Sequence, residues 1–355
     1  MRCPKCSHEQ KYKDGMKCVQ CGYRFVFNPK TDKLRDNVIS QMIQQLSDNG
    51  HYYFTRTQLA TEIGKYWRKQ KIGPIGFVII VMIFWSIISA ISEFSWFMAV
   101  AIFSFVVLPL TIFWAIRRKN RIAFKDVQAS IQNYHKIHPI EQMVNGKAFV
   151  ETPDNPIQSK PKISSLDFSL DNPAAIDTQQ QEWFLAPEHI LIVERDDIVD
   201  MLIRNRFHLE TKTLVVSFSG YPTSAFKACP GFIKNNPNMS VQVLHDASVN
   251  SFGFIHKIRG DAKWRFAREN LVDLGLSRKN LADKSELRPW LSGANGDKVI
   301  FSKDFNKMLR EGRSFPIDSL PPKPLLNQLS AAVVAGALTF AVAETFLELS
   351  HDNYG

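Results

Sequence analysis

The sequence predicts a multi-domain membrane protein with a small cysteine-built module, a two-helix transmembrane hairpin and a Rossmann-like α/β domain with a parallel sheet. Two C-x2-C pairs lie within the first 21 residues, and the 43 residues from Pro74 to Ile116 carry one charge, at Glu93. Short apolar strands alternate with helices after Glu188. A chain of 355 residues is too long for one small domain, and each pattern belongs to a different part of it.

The first element rests on four of the five cysteines, which form two C-x2-C pairs with eleven residues between them. Two such pairs suit a tetrahedral zinc ion, because each pair bends the chain so that its thiolates converge. Protein ligands fill all four positions, so the predicted zinc is structural, and it folds residues 1–27, which are too few to build a core. The pattern resembles the zinc ribbons of many bacterial proteins, which implies a fold but no function. The predicted ligands are Cys3, Cys6, Cys18 and Cys21.

Residues 32–72 predict a pair of short helices. The stretch from Asp36 to Leu46 places its apolar side chains on one face, and Asp48-Asn49-Gly50 is typical of a helix end. A second helix is predicted to begin at Thr57. Two short helices with a turn loosely resemble a helix-turn-helix, but two helices that dock on the ribbon are the simpler interpretation, because short helix pairs are common.

Residues 73–116 predict the transmembrane hairpin. Gly73–Ser92 and Ser95–Ile116 each reach the length of about 20 apolar residues that crosses a bilayer, and neither shows a polar face. Basic residues flank both outer ends and the short turn has none, so the positive-inside rule places both termini in the cytoplasm. The sequence thus predicts a multi-pass protein of the inner (cytoplasmic) membrane, with the lipid bilayer as a partner.

The net charge of +10 is concentrated at the amino-terminal end, where residues 1–73 hold 14 Lys and Arg against 6 Asp and Glu. Such an excess is typical of surfaces that face anionic lipid headgroups or nucleic acid phosphates. Lipid is the interpretation that we favour, since basic residues beside a span are expected for topology alone, and nucleic acid is the alternative. A protein partner is also expected, and the oligomeric state stays open.

Two segments connect the hairpin to the last domain. Apolar residues recur at near-helical spacing after the second span, which predicts a helix within residues 117–140. Residues 141–182 contain four prolines among many polar residues. That composition predicts an extended linker.

Residues 183–355 alternate between short apolar strands and helices, which is typical of a parallel sheet with helices on both faces. In such sheets, ligands bind at the carboxyl ends of the strands. The uncharged stretch Leu325–Ala343 predicts a buried terminal helix, with a third membrane span as the alternative. The predicted strands are His189–Val193, Thr213–Phe218, Ser240–Leu244, one that begins at Leu271–Val272, and Lys298–Phe301.

Four short motifs lie at the ends of these predicted strands. They are Leu191-Ile-Val-Glu194, Val243-Leu-His-Asp246-Ala-Ser248, Gly220-Tyr-Pro222 and Asp273-Leu-Gly-Leu276. Together they resemble the topoisomerase–primase (Toprim) domain of type IIB topoisomerase A subunits, over residues 188–290. The resemblance implies that Glu194 and Asp246 hold Mg²⁺ for phosphodiester chemistry. The family has a further aspartate where this chain has Ser248, which weakens the implied metal site.

Two classes of function follow from these patterns. The first is a membrane-anchored binding or scaffold protein with a structural zinc ribbon and a degenerate Toprim-like domain. The alternative is a membrane-tethered, Mg²⁺-dependent enzyme that processes nucleic acid, with Glu194, Asp246 and Ser248 around the metal and His245 as a candidate acid–base group. Acids at strand ends also serve as loop acids or helix caps, and Asp246 is suited to cap the next helix. Catalytic residues therefore stay unassigned, with Glu194, Asp246 and His245 as candidates.

Overall fold

The computed structural model describes residues 1–70, 124–149, 187–248, 251, 253–275, 290–291, 313–314 and 316–336. The chain divides into two compact units. The N-terminal unit comprises Met1–Met42 and Leu59–Pro139, and the C-terminal unit comprises Ile43–Gln58 and Ile140–Gly355. The described α-helices are α1 (Asp36–Leu46), α2 (Arg56–Gln70), α3 (Phe124–Ile137), α4 (Asp196–Arg204), α5 (Phe207–Glu210), α6 (Thr223–Asn235), α7 (Phe254–Gly260) and α8 (Pro322–Ala335). The described strands are β1 (Phe54–Thr55), β2 (Met143–Val144), β3 (His189–Val193), β4 (Thr213–Ser217), β5 (Ser240–Leu244), β6 (Leu271–Asp273), β7 (Trp290–Leu291) and β8 (Arg313–Ser314).

The structure corrects the predicted membrane fold class. Within the described residues, no helix combines the length and the apolar character that a bilayer span requires. The longest of these helices, α2, has 15 residues, and at about 1.5 Å per residue it is shorter than a hydrocarbon core of about 30 Å. The two predicted spans, Gly73–Ser92 and Ser95–Ile116, lie outside the described residues. The transmembrane hairpin, the inner-membrane localisation and the bilayer as a partner are therefore withdrawn.

The N-terminal unit begins with two antiparallel knuckles. Isolated backbone bridges join Arg2 to Glu9 in the first knuckle and Lys17 to Arg24 in the second. A single 3-10 turn at Tyr12–Asp14 lies between them. Chains this short cannot bury a large apolar core, so backbone pairing and the cysteines hold this region together.

Helices α1 and α3 pack on the knuckles. Asp36, the first residue of α1, accepts hydrogen bonds from the backbone N–H groups of Val26 at 2.8 Å and Phe27 at 3.1 Å. The ring of His138, directly after α3, stacks on Tyr23 with ring centroids 4.3 Å apart. These contacts show that α1, the first helix of the predicted pair, docks on the ribbon together with α3, and the choice between a docked pair and a helix-turn-helix stays a prediction.

A four-stranded parallel sheet with the order β4-β3-β5-β6 forms the centre of the C-terminal unit. This confirms the predicted parallel α/β architecture. The predicted strands His189–Val193 and Ser240–Leu244 have the observed bounds. The predicted strand Lys298–Phe301 lies outside the described residues.

Alternate residues of the central strand β3 belong to opposite faces of this sheet. Leu191 and Val193 lie in a core with apolar residues of α4 and α8, whereas Ile190 and Ile192 lie in a second core with residues of α6 and α7. All four side chains are fully buried. A strand covered on both faces has a continuous apolar sequence, which is the pattern that made β3 predictable.

Residues before the sheet also join the C-terminal unit. Strand β1 pairs in parallel with β2. The buried Asp200 of α4 accepts hydrogen bonds from the backbone N–H groups of Lys147 at 3.0 Å and Ala148 at 3.2 Å, and from the hydroxyl of Tyr221. Residues 141–149, predicted as part of a linker, are therefore tied to the α/β core. Glu151–Gln181 lies outside the described residues.

The predicted terminal helix is present as α8. Leu325, Leu329 and Val333 are buried in the core of the C-terminal unit, as expected for a terminal helix that covers a sheet. Gly336 follows in the left-handed conformation that commonly ends helices. The predicted stretch beyond this glycine lies outside the described residues.

Candidate functional site

Two equivalent turns bring the amino-terminal cysteines together. The backbone N–H of Cys3 donates to the carbonyl of His8 at 2.9 Å, and that of Cys18 donates to the carbonyl of Tyr23 at 2.7 Å. Both hydrogen bonds join residues five positions apart. The same C-x2-C spacing therefore gives the same local geometry twice, and the sulfur atoms of both turns face one point.

The four sulfur atoms fit a single tetrahedral metal ion. Cys3 Sγ lies 3.5 Å from Cys21 Sγ, Cys6 Sγ lies 3.7 Å from Cys18 Sγ, and all four ligand atoms lie within 4.8 Å of one another. Zinc–thiolate bonds of about 2.3 Å place sulfur atoms about 3.8 Å apart at the corners of a tetrahedron. All four are free thiols, far beyond disulfide distance of about 2.0 Å. The cluster can therefore bind a metal ion such as zinc.

Gln10 holds the two knuckles in position. Its buried side-chain amide donates to the carbonyls of Gly15 at 3.1 Å and Lys17 at 3.0 Å, and accepts from the N–H of Val19 at 3.1 Å. Backbone hydrogen bonding to the sulfur also lowers the pKa of Cys18 to about 6, which favours the thiolate that a metal ion binds. Burial raises the pKa of Cys3, and at Cys6 a backbone hydrogen bond is outweighed by burial and by hydrogen bonds with the other thiols, which raise the pKa as well. The ligand set is thus positioned by hydrogen bonds of the protein itself.

The carboxyl ends of β3 and β5 form the second candidate site. Strand β3 has β4 on one side and β5 on the other, so the strand order reverses there, and ligands of open α/β sheets bind at such points. Glu194 directly follows β3, and Asp246 follows β5. The backbone N–H of Asp246 donates to Glu194 Oε2 at 3.1 Å. The structure thus brings together the two acids that the sequence singled out.

An arginine lies among the acids of this crevice. Arg195 Nη2 lies 2.5 Å from Asp318 Oδ1, and its Nε lies 3.7 Å from Asp246 Oδ2 and 3.6 Å from Asp197 Oδ1. Its Nη1 also donates to the hydroxyl of Thr57 at 3.1 Å. Burial disfavours a charged guanidinium, but the three carboxylates outweigh burial and raise the pKa of Arg195. The chain itself therefore supplies the cation at this point.

Two segments that are distant in sequence complete the crevice. The backbone N–H of Ile317 donates to Asp246 Oδ1 at 2.8 Å, and the hydroxyl of Thr55 donates to Asp318 Oδ2. Thr55 and Asp318 are fully buried. Both oxygens of Asp246 therefore face protein groups, Ile317 N–H on one side and Arg195 on the other. Asp246 does not cap the next helix, α7, whose cap residue is Gly253.

The net charge of the acids around Arg195 depends on the protonation of Asp246. Burial is the largest influence on Asp246 and raises its pKa to about 7, although the charge of Arg195 acts in the opposite direction. Asp246 is therefore only partly ionised near neutral pH. Partial protonation of Asp246 reduces the net negative charge of the three carboxylates around the guanidinium of Arg195.

Ser248 takes part in a hydroxyl chain that ends on Glu194. Ser248 Oγ lies 2.7 Å from Ser251 Oγ, which donates to Glu194 Oε1 at 2.9 Å. In the part of the chain that the structure describes, the four cysteines are the only close group of three or more His, Cys, Asp or Glu ligand atoms. Magnesium therefore has no support from the structure, and Glu194, Asp246 and Ser248 as its site stay a prediction.

His245 is buried beside these acids. Its Nε2 lies 3.2 Å from Asp273 Oδ1, and its Nδ1 lies 2.7 Å from the carbonyl oxygen of Asp246. Burial disfavours the charged imidazole, but the hydrogen bond with Asp273 helps to outweigh it and the pKa of His245 is raised. Gly275 leaves room for the ring, because a Cβ at that position would lie 2.2 Å from His245 Nε2. A catalytic role for His245 stays a prediction.

Sequence reasoning missed the residues that neutralise the crevice. Arg195 directly follows Glu194, so a cation beside one of the predicted metal ligands was visible in the sequence. Asp318 and Thr55 carried no such signal, because they reach the crevice from opposite ends of the chain. No protein-family model, no curated protein and no solved structure matches this chain. Its function is therefore inferred from the geometry of the two sites.

Proposed function

We propose that this chain is a binding protein, in which a zinc ribbon and a degenerate Toprim-like domain present surfaces to a protein or nucleic acid partner. The observation that carries the proposal is the position of Arg195 among Asp197, Asp246 and Asp318. Mg²⁺ in this crevice would need carboxylate oxygens that the guanidinium already contacts. The α/β domain therefore serves as a scaffold whose acid centre is neutralised internally.

Zinc is the metal proposed for the cysteine cluster. Four thiolates in tetrahedral arrangement suit zinc, whereas magnesium and calcium prefer oxygen ligands. Because protein sulfur fills all four positions, the ion has no open coordination site and its role is structural. In this proposal, the side chains around the cluster make the contacts with a partner.

Two observations support the Toprim-like assignment of the α/β domain. The acids after the first and third strands of its sheet, Glu194 and Asp246, meet at the crevice where strand order reverses. Ser248, at the position of the family's further aspartate, hydrogen-bonds to Ser251 instead of adding a carboxylate. This combination fits a domain that has the family's architecture without its metal chemistry.

One observation favours a second function, a Mg²⁺-dependent enzyme that processes nucleic acid. The carboxylate of Glu194 contacts the backbone of Asp246, so both acids are in place at the sheet edge. In this function they would hold the metal, once Arg195 had moved away from Asp246. His245, next in sequence to Asp246, would then be the candidate for proton transfer.

A cleavage assay separates the two functions. The full chain is incubated with Mg²⁺ and end-labelled single-stranded and duplex DNA and RNA, alongside Glu194→Gln and Asp246→Asn. The binding function predicts that all three proteins give the same background. Cleavage by the wild-type chain that disappears in both variants would overturn it in favour of the enzyme.

A further inference from the structure

The N-terminal unit carries an exposed basic surface. Residues 1–36 contain nine Lys and Arg side chains, and all nine are exposed. None of the nine forms an ion pair within the described part of the chain. Their charge is therefore available to a partner.

Three of the four acids of the same stretch are engaged by the fold, and the fourth, Glu9, is exposed. Asp14 accepts a hydrogen bond from the N–H of Lys11 at 2.9 Å, and Asp32 accepts one from the N–H of Asn28 at 2.7 Å. Asp36 is buried and accepts the two backbone bonds that dock α1. These three carboxylates stabilise turns and a helix start, and they do not neutralise the basic side chains.

A cavity of about 320 Å³ opens on this surface. Its lining includes the guanidinium-bearing residues Arg2 and Arg35, the aromatic residues Phe25 and Phe27, the amide-bearing Asn37, and two acids, the exposed Glu9 and the buried Asp36, whose carboxylate is held by backbone N–H groups. Small-molecule sites begin at about 300 Å³, so the cavity is large enough for one planar group. Cations, aromatic rings and an amide are the groups that recognise an anion attached to a planar heterocycle.

We propose that this cavity binds one unstacked base of a single-stranded nucleic acid, with Arg2 and Arg35 on the flanking phosphates. Unstacked bases pack on aromatic side chains and arginine planes, and their edges are read by amides such as that of Asn37. The exposed lysines of residues 1–36 attract the rest of the phosphate backbone. A duplex keeps its bases stacked and presents none to the cavity. An acidic protein would use the cations but leave the aromatic wall unused.

The fold fixes both arginines at the cavity. Arg2 precedes the ligand Cys3 and bridges to Glu9 across the first knuckle. Arg35 precedes Asp36, whose carboxylate is held by two backbone N–H groups. The cysteine cluster and the helix start thus fix the backbone positions from which the two exposed arginine side chains extend, which reduces the entropy that the backbone loses on binding.

Fluorescence anisotropy of the full chain tests the site. A labelled single-stranded oligonucleotide of mixed sequence, as RNA and as DNA, is compared with its duplex at low and at high salt. The Arg2→Gln, Arg35→Gln double variant is expected to bind the single strand at least about tenfold more weakly and with a smaller salt dependence. The matched control, Lys227→Gln with Lys234→Gln on the exposed side of α6, removes the same charge and should bind like the wild type.

The outcomes separate this inference from the proposed function on which it rests. Zinc content and circular dichroism of the arginine variant should match the wild type, since Arg2 and Arg35 are exposed. Absence of binding, equal weakening in the lysine control, or competition by poly-glutamate as strong as by the oligonucleotide would overturn the site, the last in favour of an acidic protein. Mg²⁺-dependent cleavage of the bound strand would contradict the proposed function and leave the site standing.

Discussion

The cysteine cluster and the acid crevice at the carboxyl ends of β3 and β5 both bring together side chains that can carry negative charge. The positive charge that balances them comes from a different source in each case. In the function proposed above, the four cysteine ligands of the N-terminal unit are neutralised by a zinc ion from outside the chain. The carboxylates around Arg195 have their cation built into the sequence. This difference teaches that a cluster of ligand-type residues indicates a metal site only when no protein cation occupies its centre.

The two regions also differ in what holds them together. The sheet of the C-terminal unit buries continuous apolar strands on both faces. The knuckles bury little beyond their own cysteines and a few aromatic neighbours. We therefore expect their stability to depend on the proposed zinc ion, whereas that of the sheet depends on apolar burial.

The largest effect is expected from removal of the metal. Structural zinc contributes about 10–16 kcal/mol in isolated zinc modules, so a chelator or Cys18→Ser should unfold residues 1–27 while the sheet stays folded. Amide hydrogen exchange followed by mass spectrometry would measure both regions in one sample. Cys229→Ala, which removes the fifth cysteine in the other unit, is the control and should retain the zinc. Unchanged protection of residues 1–27 after chelation would contradict the comparison.

The second-largest loss of stability is expected from removal of Arg195, the cation of the acid crevice. Arg195→Met leaves three buried or partly buried carboxylates without their partner, and loss of one member of such a pair destabilises by about 3–5 kcal/mol. The free energy of unfolding of the C-terminal unit, measured with urea, should fall accordingly. Lys212→Met breaks the exposed pair with Glu188 and should change stability by at most about 1 kcal/mol. Equal effects of the two substitutions would show that the crevice does not need its cation.

A third prediction uses His208, a half-buried base whose pKa shift has burial as its cause. Burial lowers the pKa of His208 to about 4 from an ordinary value near 6.5. The unfolded chain therefore binds the proton more readily, so the contribution of His208 is intact above pH 6.5 and is lost as the pH falls towards 4, by about 3 kcal/mol. Urea unfolding of the wild type and His208→Gln at both ends of this range isolates the effect. A difference between the two proteins that does not change with pH would contradict it.

The smallest effect is steric. Gly275→Ala would place a Cβ 2.2 Å from the buried ring of His245, and overpacking of this kind destabilises by about 1–3 kcal/mol. Thermal unfolding of the C-terminal unit measures it. Gly260→Ala, where a Cβ meets nothing within 4 Å, is the matched control and should leave stability nearly unchanged. A melting temperature of Gly275→Ala equal to that of the control would show that the ring of His245 is not tightly packed against Gly275.

Local sequence patterns predicted much of the fold and of one site. The last four residues of β3, Ile190–Val193, are all apolar because both faces of the strand are covered, and Cys3 and Cys6 converge because one turn joins them. Contacts between distant segments left no local trace, which is why the role of Asp318 was missed. The membrane fold class predicted from the run that begins at Pro74 was wrong, because no helix among the described residues combines the length and the apolar character of a bilayer span.

Metal stoichiometry of the full chain tests the contrast between the two sites most directly. Native mass spectrometry after exposure to both Zn²⁺ and Mg²⁺ should show one zinc ion per chain, absent from Cys18→Ser, and no magnesium. Magnesium bound at one ion per chain, and lost in Glu194→Gln, would show that Arg195 does not fill the place of the cation and would contradict the account.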